Sequence, residues 1–251
     1  MRNPKWHRDE IILALDLYYE KDLGSMDAGN PKVIALSELL NRLPIFEQKP
    51  NEKTFRNPNG VTLKLSNFKA LDPDYKGKGM DAYSKLDKQV FEEFSSNKLL
   101  LRQIANAIKQ ILNNHDLTDK VSRIENDELA ETNSVMEGQV LYKFHKVRER
   151  NRKINEAKKK SVLKEKGELR CEACEFDFEK AYGHMGKGYI ECHHLIPLFN
   201  FQVNKETKLE DIALLCSNCH RMIHKDLTIS TIKEFKLRLI TASQIEDIKD
   251  V

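Results

Sequence analysis

Two kinds of metal-binding chemistry can be read towards the C-terminal end of the chain. All five cysteines lie beyond residue 170, and four of them form Cys-x-x-Cys pairs, Cys171 with Cys174 and Cys216 with Cys219. A two-residue gap lets both sulfurs of a pair reach one ion from a tight turn, and two such pairs complete the tetrahedral thiolate shell of a structural Zn²⁺ site. A redox dithiol would need only one pair. Cys192 stands apart and reads as a buried strand residue. The histidines carry the second chemistry. His220 and His224 are four residues apart where a helix is expected, so their imidazoles share a face and can hold one metal. His193 and His194 are adjacent, and on a strand adjacent side chains point to opposite sides. One can then ligate while the other faces a substrate.

These residues lie in three short segments, Ile190-Glu-Cys-His-His-Leu-Ile-Pro-Leu198, Asp211-Ile-Ala-Leu-Leu215 and Cys216-Ser-Asn-Cys-His-Arg-Met-Ile-His224. Together with Cys171 and Cys174 they resemble the HNH nuclease signature, in particular the McrA-like branch of 5-methylcytosine-specific restriction endonucleases. The resemblance spans residues 137–226. It takes in a helix from Glu137-Gly138 through His145-Lys-Val-Arg-Glu-Arg150, and a hairpin from Cys174-Glu-Phe-Asp-Phe178 through Tyr182-Gly183 to Gly186-Lys-Gly188. It implies a ββα-metal nuclease domain with a catalytic divalent ion on His193, His220 and His224, and with His194 as the general base.

On that reading His194 takes a proton from water, the water attacks phosphorus in line, and the ion stabilises the developing charge, leaving a 5′-phosphate. An imidazole, with an ordinary pKa of about 6.5, suits this work at neutral pH. Histidine ligation admits Mg²⁺, Mn²⁺, Ni²⁺ or Zn²⁺. One position departs from the signature. The residue that orients the base is usually Asn, whereas here Asp211 stands five residues before Cys216. An ionised aspartate accepts hydrogen bonds but donates none. Two readings therefore stay open, a metal-dependent DNA endonuclease and a zinc-stabilised DNA-binding or regulatory module whose nuclease centre is degenerate.

The elements that must position these residues are mostly helices, and the expected fold class is α+β. Residues 1–115 read as a helical domain. Apolar spacing predicts helices over Trp6–Glu20, over a segment opened by Asn30-Pro31 and closed by Pro44, from Val61 to Leu71 after the turn-rich Asn57-Pro58-Asn59-Gly60, and as a pair over residues 82–113 broken at Ser95-Ser96-Asn97. Polar residues 116–133 read as a linker. A single helix is expected from Ser134 to Lys166, stopped by Gly167, ahead of the nuclease domain, the two together forming a region 134–251.

Composition bounds the partners. The formal charge is +3, with 20 Lys+Arg against 21 Asp+Glu in residues 1–132 and 22 against 18 in residues 133–251. From Lys143 to Arg170 the balance is 12 basic to 4 acidic residues, a stripe suited to a polyphosphate backbone. Arg148, Arg150, Arg152 and Lys153 on this stripe, with Arg56 and Lys64 beside the 57–60 turn, are the expected contacts to double-stranded DNA. The N-terminal domain would then select the target, DNA with modified bases by analogy with the resembling family, or else serve in dimerisation or partner binding. An HNH site cuts one strand, so cutting both at one place calls for a homodimer. No run of eighteen apolar residues occurs, and Met1 to Glu10 lacks the apolar stretch of a signal peptide, so a cytoplasmic protein without membrane contact or disulfides is expected.

Overall fold

The computed structural model describes residues 3–46, 53–80, 82–124, 138–195, 207–224, 229 and 231–249. They form two compact units, each built around its own core.

The first unit is helical: α1 (Arg8–Tyr18), α2 (Pro31–Arg42), α3 (Pro58–Leu71), α4 (Lys85–Ser95), α5 (Lys98–Leu112) and α6 (His115–Ser122). Side-chain caps set the starts. His7 accepts from the Asp9 N–H while Glu10 accepts from the His7 N–H, and Ser84 and Asp87 form a second such box. Asn30 and Asn57 each cap a helix whose first residue is proline. The Asn57-Pro58-Asn59-Gly60 stretch, expected as a turn, is thus the cap and first turn of α3. The segment expected to start a linker instead opens with α6, capped by Asn114; residues 125–133 lie outside the described residues.

Helix α1 runs through the middle of this unit, packed against α2, α3, α4 and α5. Ile11, Ile12, Leu13, Ala14 and Leu15 are all buried, and so are Arg8, Asp9, Glu10 and Asp16. A helix buried on every side leaves its charges without water, so each must find a partner. Arg8 pairs with Glu93, Glu10 with Arg56 at 2.6 Å, and Asp16 with Arg102 at 2.6 Å and Lys109 at 2.7 Å.

Two helices follow, α7 (Gln139–Glu149) and α8 (Arg152–Lys166), where one continuous helix was expected; residues 134–137 lie outside the described residues. The chain breaks at Arg150-Asn151, and the two helices differ in burial. Val140, Leu141 and Phe144 of α7 are buried, whereas α8 has no fully buried residue and offers only Ile154 and Val162 to the sheet core. Gly167 ends α8 at φ +75°, the left-handed cap its position suggested.

The second unit holds strands β1 (Glu191–His194) and β2 (Ile212–Leu215), paired antiparallel with His193 opposite Ala213 and His194 opposite Ile212. Helix α10 (Ser217–Ile223) follows at once, completing a strand–strand–helix unit. One side of the sheet packs Cys192, Ile212 and Leu214 onto α8 and Ile190. Leu215 belongs to the other core, with the four-cysteine region, Ile223 and Phe235 of α11 (Ile232–Lys249). The hairpin expected over residues 174–188 is not formed. A single bridge joins Arg170 to Asp177, after which the chain turns into α9 (Phe178–Tyr182) and a 3₁₀ turn, Gly183–Gly186. Asp177 caps α9, which diverts the chain before a return strand can pair. Among the described residues no helix is long and apolar enough to cross a membrane.

Candidate active site

The four paired cysteines converge. Cys171, Cys174, Cys216 and Cys219 offer sulfurs that all lie within 4.8 Å of one another, and Cys174 Sγ is 3.7 Å from Cys216 Sγ. Sulfurs tetrahedral about Zn²⁺ at about 2.3 Å stand about 3.8 Å apart, so the cluster fits that ion. Each pair is held by a local turn. The Cys171 N–H donates to the Phe176 carbonyl, and the Glu175 N–H to the Cys171 carbonyl; Glu175 takes φ +63° to close this loop. Cys216 is the N-cap of α10, its sulfur accepting from the Cys219 N–H. Burial and the neighbouring thiols push Cys219 up, so the four cannot all ionise without a cation between them. The cluster could bind zinc.

The second cluster contains His193, His220 and His224, and also two residues that the spacing argument did not single out, His145 and Glu149. All five offer ligand atoms within 4.8 Å of one another. Glu149 Oε1 lies 2.5 Å from His145 Nε2, 2.6 Å from His220 Nε2, 3.4 Å from His224 Nε2 and 3.5 Å from His193 Nδ1. At 3.5 Å His193 Nδ1 is too far to bond, and it is buried without a hydrogen-bond partner. Opposed nitrogen ligands on one divalent ion stand about 4.2 Å apart, so both the spread and the orphaned nitrogen fit a metal. The elements explain the convergence. His193 projects from β1 opposite the small Ala213, His220 and His224 lie on and at the end of α10, and His145 and Glu149 are four apart on α7.

The electrostatics divide the imidazoles. Burial pushes His193 down to about 3, aided by His145 and His224. Burial also opposes the charged form of His220, but Glu149 and Glu191 outweigh it and raise that residue to about 9. Glu191 accepts from His220 Nδ1 at 2.6 Å and from Ser217 Oγ at 2.6 Å, leaving Nε2 turned to the cluster. Glu149, despite burial, is held well below the usual carboxylate range by His145 and the other imidazoles around it.

His194 lies next to this cluster without joining it, its ring 6.1 Å from that of His145. Burial first, then Arg148 and His145, push it down to about 3. This corrects the expectation of a base poised near neutrality. Asp211 does not orient it through a hydrogen bond: its carboxylate accepts from the Lys208 N–H at 2.9 Å and closes its own 3₁₀ turn, and His194 Nδ1 is buried without a partner. The Asp211 charge is still felt at His194, where it raises the pKa.

The expected DNA contacts fare unevenly. Arg150, Arg152 and Lys153 are exposed at the α7–α8 junction. Arg148 is half-buried and donates to Thr207 Oγ1 at 3.1 Å. A cleft of about 540 Å³ opens beside His220 and Glu149, with Lys146, Arg150 and Lys159 on its walls. Arg56 and Lys64, expected at the DNA surface, are buried in the first unit. Arg56 is 3 % exposed, bonded to Glu10 and to the carbonyls of Pro4 and Lys5. Lys64 is 5 % exposed and bonded to Asp87 at 2.6 Å. Both balance buried carboxylates.

His145 and Glu149 had a signal in the sequence, the same i, i+4 spacing that marked His220 and His224. Glu191 had none beyond its place two residues before His193. No curated protein and no solved structure matches the chain. The family model described as HNH endonuclease matches residues 171–226, the stretch that holds the four cysteines, β1, β2, α10 and three of the clustered histidines, so this part of the chain is similar to an HNH endonuclease domain.

Proposed function

We propose that the protein is a metal-dependent endonuclease that hydrolyses phosphodiester bonds in double-stranded DNA, in a restriction or defence role against modified or foreign DNA. The observation that carries the reading is a cluster of metal-binding imidazoles opening on a cleft walled by Lys146, Arg150 and Lys159. Cationic walls draw and seat a phosphodiester. His193, His220 and His224 would hold a divalent ion, which supplies Lewis-acid stabilisation of charge developing on the phosphate oxygens.

The other work falls to the chain's own groups. His194, neutral across the physiological range, accepts a proton from the attacking water. The Asp211 carboxylate already favours its charged form in the free protein, and the incoming phosphate would add to this and raise its low basicity. Glu191 keeps His220 Nε2 facing inward. Exposed Arg152 and Lys153 extend the grip along the backbone. Since phosphate contacts carry little sequence information, target choice would belong to the N-terminal unit. Its surface would do this by directed contacts, because its charge is nearly balanced.

A second reading, a DNA-binding module with a spent nuclease centre, is favoured by one observation, the missing bond between Asp211 and His194. Nicking of supercoiled plasmids with and without cytosine modification, with Mn²⁺ added, separates the two. The nuclease reading expects metal-dependent nicking that is abolished in His194→Ala, with DNA affinity retained by that variant. DNA binding without any nicking would establish the second reading. Equal nicking of both plasmids would remove the modified-DNA role.

A further inference from the structure

We infer that the catalytic ion is held by more than the three histidines of β1 and α10: His145 and Glu149 of α7 are ligands too, and the resulting shell of four imidazoles and one carboxylate takes a transition ion such as Mn²⁺ in preference to Mg²⁺. This rests on the reading of the cluster as a metal centre and specifies what that centre is.

Three observations support it. His145 and Glu149 are placed by one helix on one face, with the Glu149 oxygen central among four ring nitrogens at 2.5 to 3.5 Å. A pair formed only to stabilise the helix would need a single imidazole, whereas three others, from β1 and α10, converge on the same oxygen. The rings themselves pack at ligand spacing: His145 is 4.5 Å from His224, His193 is 4.9 Å from His224, and His220 is 4.9 Å from His224, centroid to centroid. Side chains of His145, Glu149, His193, His220 and His224 are all largely withdrawn from solvent. That many buried nitrogens around one carboxylate oxygen are mutually repulsive when protonated, and they are reconciled by a dication.

The metal preference follows from the donors. Mg²⁺ favours oxygen, needs near-ideal octahedral geometry and gives up its waters reluctantly. Imidazole suits the later first-row ions. On an octahedral ion, five protein donors leave one position for water or a phosphate oxygen, enough for one reacting group.

The test uses the full-length protein with zinc already in the four-cysteine site, and reads Mn²⁺ binding by titration calorimetry and electron paramagnetic resonance rather than cleavage. One Mn²⁺ per chain is expected, undisturbed by a tenfold excess of Mg²⁺. Glu149→Gln and His145→Gln should each weaken Mn²⁺ binding by about 10- to 100-fold, in the range known for perturbed metal shells, with His193→Ala as the reference. If both variants bind Mn²⁺ like the wild type while His193→Ala is weakened, α7 lies outside the shell and the proposal is overturned, the three-histidine centre standing. If His193→Ala also binds normally, the metal-centre reading itself fails. Displacement by Mg²⁺ overturns the stated preference. Should a variant misfold, X-ray absorption at the manganese edge of the unaltered protein decides: scattering from four imidazoles supports the shell, from three overturns it.

Discussion

The Glu191 carboxylate lies 2.6 Å from Nδ1 of His220, and this one contact turns the other nitrogen of the ring towards Glu149 and the other clustered imidazoles. Without it, the ring could present either nitrogen or turn away. Glu191→Gln is expected to lower metal affinity by about 10- to 100-fold with little change in fold. The same contact makes affinity depend on pH. In the ion-free protein His220 is raised to about 9, so its proton competes with the metal below that pH. Affinity should climb from pH 6 to 9, measured by calorimetry, and Glu191→Gln should shift the rise to lower pH. A flat profile in the wild type would remove His220 from the ligand set.

The four-cysteine site should be a condition for folding of the second unit. Its core around Leu215, Ile223 and Phe235 incorporates Cys171, Cys216 and Cys219 as buried residues, so losing the ion opens the core itself. Cys216→Ser is expected to lower bound zinc by about one equivalent and to cause a large drop in melting temperature. Mass spectrometry under native conditions and calorimetry measure both. Full zinc content with an unchanged melting temperature would contradict the site.

Asp9 starts α7 from a distance of 130 residues in sequence, accepting from the N–H groups of Gln139 at 2.9 Å and Val140 at 3.0 Å. Burial disfavours its charge, but His7 and these two donors win and lower its pKa. A lowered carboxylate contributes stability above its unfolded pKa of about 3.9 and loses it as pH falls through the folded value. Asp9→Asn should therefore cost about 1.5–3 kcal/mol at neutral pH, the scale of hydrogen bonds to a charged group. The deficit relative to wild type should shrink below about pH 4. Gly138→Ala should destabilise as well, since Gly138 has φ +88° and a Cβ there would sit 2.6 Å from Asp9 Oδ1. Urea unfolding across pH 3–7 tests both.

Arg56 neutralises the buried Glu10 of α1. Removing it strands the buried Glu10 carboxylate and empties a site where the guanidinium also lies 4.7 Å from the ring centroids of Trp6 and Phe55. Arg56→Ala should cost about 3–5 kcal/mol, the loss seen when one partner of a buried pair is removed. The fraction that remains folded should cut the same DNA as the wild type. A shift in target preference with unchanged denaturation would return Arg56 to the DNA surface.

Both clusters were legible in part because they follow local rules. Cys-x-x-Cys pairs close within a turn, and His220 with His224 obey the helical repeat, so spacing alone aligned their ligand atoms. The cap at Asn30 was equally local, and the start of α2 follows from it, whereas Asn57 read as part of a turn and proved to be the cap of α3. What local spacing could not decide was which partner each charged or titratable side chain would meet. Arg56 and Lys64 looked like free cations beside a turn; only the burial of α1 and α4 around Glu10 and Asp87 showed them committed. His145 and Glu149 looked like members of a basic helix until β1 and α10 brought three imidazoles to the same carboxylate. His194 has the sequence position of a near-neutral base, yet burial and Arg148 hold it near 3. Ligand spacing and capping act over about one helical turn and are encoded in neighbouring residues, whereas desolvation and ion pairing depend on whatever the fold places alongside, from tens of residues away.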